Sequence, residues 1–261
     1  MINVTTKIHP TAIVDRAAQI GDGCEIGPYS VIGANVKLGE GCRLHSHVVL
    51  DGLTTIGARC EFFSFACIGL KTQDLKWKGG NCFLEVGSDN VFREHVTVHT
   101  ATSDGGYTKV GSHGNFLAYS HIAHDCVVGS HVIFSNNGTL AGHVTVGDYA
   151  IVGGLAAVHQ FCRIGTMSII GGCTKVVQDV PPYMIVDGNP GVTRGVNKVG
   201  LERNGVPEEV QRALWKAFKI VFGTGLTVSN ALDKVRLEVP PSKEIEHFID
   251  FCRKSERGIA R

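Results

Sequence analysis

Residues 122–152 read IAHDCVVGSHVIFSNNGTLAGHVTVGDYAIV, and an apolar residue recurs at every sixth position of this stretch. The same phase is apolar at 26 positions between Ile8 and Val176, with two interruptions. The next position is often glycine, which tolerates the sharp change of direction that a corner needs. A unit of one short strand and one corner cannot bury its own apolar face, so coils must stack and share a core. The period therefore predicts a mainly β chain built as a parallel β-helix.

Outside this period the chain changes character in three places. Polar segments interrupt the repeat at residues 70–84 and 101–109, and loops that leave a rigid solenoid commonly carry binding residues. After Pro181-Pro182 the six-residue period ends, and the sequence predicts three helices: one at 207–222, one at 227–237 and a third that begins at Ser242 as N-cap.

These boundaries predict two domains. Residues 1–185 would form the β-helical domain with its two loops, and residues 186–261 would form a small α-helical C-terminal domain. The net charge of +1 supplies no strong field toward nucleic acid or an anionic membrane. The nine cysteines show no C-x-x-C spacing and are predicted to be reduced core residues. Without a signal-like N-terminus or an apolar run of about 18 residues, we expect a cytoplasmic protein with no membrane span.

The repeat resembles the left-handed β-helix family of acyl- and acetyltransferases, in which three six-residue units make one triangular coil. Left-handedness is an expectation from this resemblance, because parallel crossovers are ordinarily right-handed. Residues eighteen apart would then stack in neighbouring coils about 4.8 Å apart. This spacing gathers one polar patch, which consists of His124, Asp125, Gly142, His143, His159 and Gln160, with His121 just before it.

The patch has the residue types of general-base catalysis. An imidazole titrates near neutral pH and can take a proton from a hydroxyl group, and the Asp125 carboxylate can orient His124. Gly142 leaves room for a carbonyl group beside a backbone N–H, as an oxyanion hole requires. The competing interpretation is that these are solvated corner residues, as a single histidine here would be. The clustering of several histidines with an aspartate favours catalysis.

A second histidine column is predicted from the same spacing, at His95, His113 and His131. Imidazole is a common ligand of transition metals, so this column could bind a metal ion. Neither a carboxylate nor a cysteine shares the column, which favours exposed or subunit-facing residues instead.

Several segments resemble the UDP-N-acetylglucosamine O-acyltransferase family in particular: QDLKW at 73–77, REHVTVH at 93–99, HIAHDC at 121–126, VPPYMIVDGNP at 180–190 and GVNKVGLER at 195–203. The resemblance covers essentially the whole chain. It implies transfer of a (3R)-3-hydroxyacyl group from acyl carrier protein to the 3-hydroxyl of UDP-N-acetylglucosamine, in lipid A biosynthesis.

The resemblance also implies roles for individual residues. His124 matches the catalytic base, Asp125 its partner and Gly142 the oxyanion donor. The family's sugar and diphosphate contacts match Gln73, Asp74, Lys76, His121, His143 and Gln160, and His159 joins the substrate-binding set through its column. Asn197 and Arg203 match nucleotide contacts, and Gly172 matches the gauge of acyl length, where glycine predicts a longer chain than the shortest class.

The family works as a homotrimer with active sites between subunits, and it uses no metal or bound cofactor, because phosphopantetheine arrives on the acyl carrier protein. Arg212, Lys216 and Lys219 are candidates for docking that acidic carrier, although they could equally be solvated helix charges. The chain departs from the family where Asn204 replaces a second arginine and where Pro190 replaces a histidine.

Alternatives remain open at this point. N-acyl transfer to the 3-amino analogue of the UDP-sugar would use the same site, and a related N-acyltransferase acts later on the acylated sugar but carries an extra N-terminal domain. A metal-dependent hydratase like the γ-class carbonic anhydrases has the same fold, with different histidine spacing. A non-catalytic scaffold would show columns of threonine or serine rather than clustered histidines. Acyl length is not determined by the sequence.

Overall fold

A computed structural model describes residues 6–261; residues 1–5, where the expected β-helical domain begins, lie outside the described residues. The chain forms a left-handed parallel β-helix whose three faces each take every third strand. The first face contains β1 Lys7–Ile8, β4 Glu25–Ile26, β7 Arg43–Leu44, β10 Glu61–Phe62, β13 Val91–Phe92, β16 Asn115–Phe116, β19 Ile133–Phe134, β22 Ile151–Val152, β25 Ile169–Ile170, β27 Met184–Gly188 and β28 Gly191–Val196.

The second face contains β2 Ile13–Val14, β5 Val31–Ile32, β8 Val49–Leu50, β11 Cys67–Leu70, β14 Thr97–His99, β17 His121–Ile122, β20 Thr139–Leu140, β23 Ala157–Val158 and β26 Lys175–Val176. The third face contains β3 Gln19–Ile20, β6 Lys37–Leu38, β9 Leu53–Ile56, β12 Phe83–Val86, β15 Tyr107–Val110, β18 Val127–Val128, β21 Thr145–Val146 and β24 Arg163–Ile164. Most strands have two residues, of which the second points into the core, so the period of six follows directly from the coil.

The interior is a continuous apolar column. Phe62, Phe92, Phe116 and Phe134 are fully buried, and successive rings lie 5.1, 4.8 and 5.3 Å apart between centroids. Identical side chains stack in register because parallel coils repeat the same inward position. Such a core is close-packed, so it holds the strand register and the corner positions rigidly.

The two predicted interruptions change the spacing between coils. Glu61 pairs with Val91 and Val91 pairs with Asn115, so these coils are 30 and 24 residues long instead of 18. The strands resume at Phe83 and Tyr107, inside the predicted loops of residues 70–84 and 101–109.

The longer coil makes the predicted column of His95, His113 and His131 wrong. His95 stacks on Tyr119 with ring centroids 4.6 Å apart, at a different corner from the other two. His113 and His131 do stack, at 4.7 Å. Counting by eighteen across residues 101–109 assigned His95 to the wrong corner, because that insertion adds six residues to the coil. The metal-binding interpretation of the three-histidine column therefore has no geometric basis.

The C-terminal part begins with an antiparallel hairpin of β27 and β28, whose first strand pairs with β25 of the β-helix. The six-residue period gave no sign of this hairpin, which occupies the start of the expected helical domain. Four helices follow, α1 Lys198–Arg203, α2 Glu208–Gly223, α3 Val228–Glu238 and α4 Lys243–Arg253. The last three agree with the predicted helices, whereas α1 was not predicted. Within residues 6–261, none of the helices has the length and apolarity needed to cross a bilayer.

The final residues return to the β-helix. The Ala260 N–H donates to the carbonyl of Asp179, and Ala260 is buried in the same apolar cluster as the solenoid core. The buried Asp179 carboxylate accepts hydrogen bonds from the Arg163 N–H and the Ser255 hydroxyl, each at 2.8 Å. These contacts tie the helical part to the last coils, close to the column that carries Phe161.

Candidate active site

His124 and Asp125 lie at one corner of the β-helix, just after β17. Their side chains are each 13% exposed, and Nδ1 of His124 lies 2.7 Å from Oδ2 of Asp125. Asp125 has a left-handed backbone, with φ of 59°, and its N–H donates to the Thr108 hydroxyl. The carboxylate therefore holds one ring nitrogen and leaves Nε2 as the nitrogen available for chemistry.

Gly142 stacks one coil beyond His124, as the column spacing predicts. A Cβ atom at this position would lie 2.3 Å from Cε1 and 2.5 Å from Nε2 of His124, so glycine alone leaves room for the imidazole. Among the contacts of residues 6–261, the Gly142 N–H donates to no protein acceptor. A free backbone donor thus lies beside the reactive nitrogen, which is the arrangement an oxyanion hole needs.

The loop of residues 70–84 reaches the same imidazole from the other side. Oδ2 of Asp74 lies 3.9 Å from Nε2 of His124, beyond hydrogen-bond distance. Oδ1 of Asp74 accepts from the Lys76 N–H at 2.9 Å, which closes a tight turn at the loop tip. The first interruption of the repeat therefore contributes directly to the site.

Two hollows meet at His124, of about 480 and 580 Å³. Four residues line both of them: Asp74, Lys76, His124 and Gln160. His143 lines the first hollow, whereas Gln73 and His121 line the second. Two substrates entering from the two sides would each reach the same imidazole, as a group transfer requires.

His121 is a poor candidate for the base. Burial, followed by the charges of His99 and His124, lowers its pKa from 6.5 to about 4. Its Nδ1 lies 2.7 Å from the Thr97 hydroxyl. His121 is therefore neutral at neutral pH and a weak proton acceptor, so it suits hydrogen bonding to a substrate better than proton transfer.

His143 completes the corner column. Its ring stacks on Phe161 with centroids 4.7 Å apart, and its Nε2 lies 3.7 Å from Oδ2 of Asp125. His124, Asp125 and His143 each offer one ligand atom within 4.8 Å of the others, so this cluster has the donors for a metal ion as well as for a His–Asp catalytic pair.

Six predicted site residues line neither hollow: Asp125 and Gly142, which adjoin His124, and His159, Asn197, Arg203 and Gly172. His159 lies beside Arg257, with Nδ1 and Nη2 3.3 Å apart. Asn197 is buried as the N-cap of α1 and donates to the Met167 carbonyl at 2.7 Å. Arg203 is exposed at the end of that helix, and Gly172 is exposed at a different corner.

Sequence reasoning missed several residues of the site. The first hollow is also lined by Lys78, Ser103, Asp104 and Phe161. The Thr102 N–H donates to the Asp125 carboxylate, and the Thr108 hydroxyl accepts from the Asp125 N–H. The interruption at residues 101–109 was the available signal for most of them. A third hollow, of about 670 Å³, adjoins His143 and Phe161 and is lined by charges of both signs: Arg163, Lys254, Arg257, Asp179 and Glu256.

Comparisons with known proteins agree with this geometry. The family described as UDP N-acetylglucosamine O-acyltransferase, domain 2, matches residues 179–260, and the bacterial transferase hexapeptide family matches residues 17–52. A protein of Akkermansia muciniphila named acyl-[acyl-carrier-protein]--UDP-N-acetylglucosamine O-acyltransferase is 56% identical over 97% of this chain and 98% of its own length. A protein of the same name from Syntrophobacter fumaroxidans is 47% identical over 98% of this chain and all of its own length (100%).

Solved structures match the chain over nearly the same extent. LpxA from Acinetobacter baumannii is 46% identical with a TM-score of 0.94, covering 97% of this chain and 99% of that one. LpxA from Bacteroides fragilis, a UDP-N-acetylglucosamine acyltransferase, is 38% identical with a TM-score of 0.95, covering 97% and 100%. The relatives and the solved structures thus match this chain over nearly its full length, in sequence identity and, for the structures, in fold. The chain therefore belongs to the UDP-N-acetylglucosamine O-acyltransferase family.

Proposed function

We propose that this enzyme transfers a (3R)-3-hydroxyacyl group from acyl carrier protein to the 3-hydroxyl of UDP-N-acetylglucosamine, the reaction that opens lipid A biosynthesis. The named relatives support the acyl carrier, the UDP-sugar and the O-acyl transfer. The observation that carries the catalytic proposal is the 2.7 Å contact of His124 with Asp125, at the junction of two hollows and beside the free Gly142 N–H.

The reaction then follows from the geometry. Nε2 of His124 takes the proton of the sugar hydroxyl as that oxygen attacks the thioester carbonyl. Asp125 stabilises the imidazolium that forms, and the Gly142 N–H donates to the oxyanion of the tetrahedral intermediate. The intermediate collapses with cleavage of the carbon–sulfur bond, and the proton held by His124 passes to the leaving thiolate. Phosphopantetheine enters on the carrier, so the chain needs no cofactor of its own in this proposal.

Replacement of the base is the direct test. His124→Ala should lower kcat by about 10²–10⁴, the usual contribution of a general base. His9→Ala, an exposed histidine of the first coils, is the control and should retain wild-type turnover. A folded His124→Ala variant with turnover within a few-fold of wild type would exclude His124 as the base.

The metal-dependent alternative has its own test. The relatives are named as acyltransferases and disfavour a hydratase, but His124, Asp125 and His143 could ligate an ion. We expect acyl transfer to be unchanged after dialysis against a chelator, measured with metal content by elemental analysis. Loss of turnover that zinc restores would refute the metal-free proposal.

We also propose that the active unit is a homotrimer. Exposed aromatic rings stack along one corner, with Phe65 4.9 Å from His95 and His95 4.6 Å from Tyr119 between centroids. An exposed column of aromatic rings is typical of an interaction surface, and a second copy of this chain would bury it in an interface. Arg203 is exposed and lines neither hollow of its own chain, which supports a site that it enters from a neighbouring subunit. Asn197 is buried as the N-cap of α1 and would hold that helix in place.

Hybrid trimers would test this arrangement. His124→Ala and Arg203→Ala subunits, each inactive alone, are unfolded together and refolded at equal amounts. If one site takes His124 from one subunit and Arg203 from the next, about one quarter of the sites regain both residues by random assembly in a closed ring. Activity no higher than that of the separate variants would place both residues in one subunit or exclude Arg203. Light scattering gives the subunit number.

The acceptor and the acyl length are resolved by one assay matrix. UDP-N-acetylglucosamine should be acylated faster than its 3-amino analogue, because the relatives are named for the former. With glycine at 172, the acylation rate with fourteen-carbon donors should exceed the rate with ten-carbon donors. Gly172→Met should reverse that order, and the nearest atom to its Cβ, 3.4 Å away, leaves room for the change. A wild-type preference for ten carbons would refute Gly172 as a gauge that leaves the groove open.

Docking of the acidic carrier is proposed for basic residues near the helices. Arg212 is paired with Glu208 at 2.7 Å and Lys216 donates to the Glu238 carbonyl, whereas Lys219 is exposed. Lys219→Glu should therefore raise KM for the acyl carrier with kcat little changed, and the effect should shrink with added salt. An unchanged KM at low salt would exclude Lys219 from docking.

A further inference from the structure

A ring of contacts surrounds the imidazole of His124 and passes through both loops that interrupt the repeat. His124 Nδ1 contacts Asp125 Oδ2 at 2.7 Å, and the Thr102 N–H donates to the same oxygen at 3.2 Å. The Thr102 and Thr72 hydroxyl oxygens lie 2.9 Å apart, and Thr72 Oγ1 accepts from the Asp74 N–H at 3.0 Å. The ring closes where Asp74 Oδ2 lies 3.9 Å from His124 Nε2.

The hydroxyl pair is the direct link between the two loops within this ring. Thr72 is 4% exposed, so its hydroxyl depends on protein partners rather than water. Thr102 holds the carboxylate at Nδ1 through its backbone, and Thr72 holds the backbone of the aspartate that faces Nε2. Other contacts between the loops, such as the Asn81 N–H to Asp104 Oδ1 at 2.7 Å, lie farther along each loop.

We propose that the Thr72–Thr102 hydroxyl pair is a positioning device that keeps Asp74 at its distance from Nε2 of the base. This inference rests on the proposed function. At 3.9 Å, Asp74 makes no hydrogen bond to Nε2, which leaves that nitrogen free to accept the substrate proton. A loop that moved inward by about 1 Å would bring the carboxylate into a charge-assisted bond with a protonated imidazole, and the base would be lost.

The loss would change the pH profile as well as the rate. An approaching carboxylate favours the charged imidazole, so the acidic limb of kcat/KM should move to higher pH. The other charged or titratable groups facing His124 are unchanged by the substitution; they are Asp125, His99, His121 and His143, with Lys76, Lys78 and Asp104 in the first hollow. A shift of the limb to higher pH would therefore report on Asp74, because loosening of Asp125 from Nδ1 would move the limb to lower pH.

The experiment compares Thr72→Val, which removes the hydroxyl at similar volume, with Thr72→Ser, which retains it. We expect Thr72→Val to lower kcat by about 10- to 100-fold, with KM for the UDP-sugar changed less than about threefold. The acidic limb should move to higher pH, and Thr72→Ser should restore both. Thr54→Val is the matched control. Thr54 is also buried and donates its hydroxyl to a protein acceptor, the Asp51 carbonyl, but it does not belong to either loop.

Thr102→Val removes the same bond from the other loop, so the double variant should be no slower than the slower single variant. If Thr72→Val does not fold, Thr72→Ala removes the hydroxyl without adding an apolar branch. A folded variant with kcat within twofold of wild type and an unmoved limb would overturn the inference, as would additive effects. Wild-type enzyme inactive toward UDP-N-acetylglucosamine in the same assay would instead overturn the proposed function.

Discussion

Gly142→Ala should inactivate the enzyme through His124. The added Cβ would lie 2.3 Å from Cε1, 2.5 Å from Nε2 and 3.0 Å from Nδ1 of that imidazole. Carbon atoms in contact are normally about 3.5–4.0 Å apart, so the ring must retreat by about 1 Å or more. The ring is held by the 2.7 Å contact of Nδ1 with Asp125, and that contact breaks or the corner shifts.

The magnitude follows from what the ring does. Misplacement of a reacting group by 1 Å costs about 10²-fold, and complete loss of a general base costs up to about 10⁴-fold. The expected fall in kcat is thus about 10²–10⁴, which corresponds to about 2.7–5.4 kcal/mol of activation free energy. The fold should survive, because the clash is with one side chain and not with the backbone.

The assay follows thiol release from the acyl carrier at saturating UDP-sugar. Gly195→Ala is the control, since Gly195 is also buried and its nearest neighbour, a Trp215 ring atom, lies 3.5 Å from the added Cβ. The double variant Gly142→Ala/His124→Ala should be little slower than His124→Ala, because both changes remove the same base. A folded Gly142→Ala enzyme with kcat within a few-fold of wild type would refute the assignment of His124 and Gly142 to one reaction centre.

Three predictions concern stability. The pKa of His121 is lowered from 6.5 to about 4. Between these two pH values the unfolded chain binds a proton that the folded chain does not. The free energy of unfolding therefore falls as the pH falls through this window, by about 3 kcal/mol at its lower end. His121→Gln should flatten the dependence of Tm on pH there; an unchanged slope would contradict the cause. Asp179→Ala leaves two donors unpaired, the Arg163 N–H and the Ser255 hydroxyl, and should lower the free energy of unfolding by about 1–3 kcal/mol for each. Calorimetry should show a smaller loss for Asp179→Asn than for Asp179→Ala. Phe134→Ala should cost about 3–5 kcal/mol in the same measurement, and a cost below that of Phe134→Leu would exclude a close-packed column.

The parts of the fold and site that could be predicted from the sequence are those with an uninterrupted period. From Val110 to Val176 every coil has eighteen residues, so counting brought His124 beside Gly142 and Asp125 beside His143, as the structure has them. The same counting failed for His95, because residues 101–109 lengthen one coil.

The sequence by itself determined the β-helix and the His–Asp corner, because a six-residue apolar period leaves one way to bury every inward side chain. The tertiary structure alone decided how the two loops meet that corner. The 3.9 Å separation of Asp74 from Nε2 joins residues 50 positions apart, and the 2.9 Å contact of Thr72 with Thr102 joins residues 30 positions apart, both through loops outside the period. It also decided that Asn197 caps α1 in its own chain, since a polar side chain takes whichever backbone group the local fold leaves unpaired.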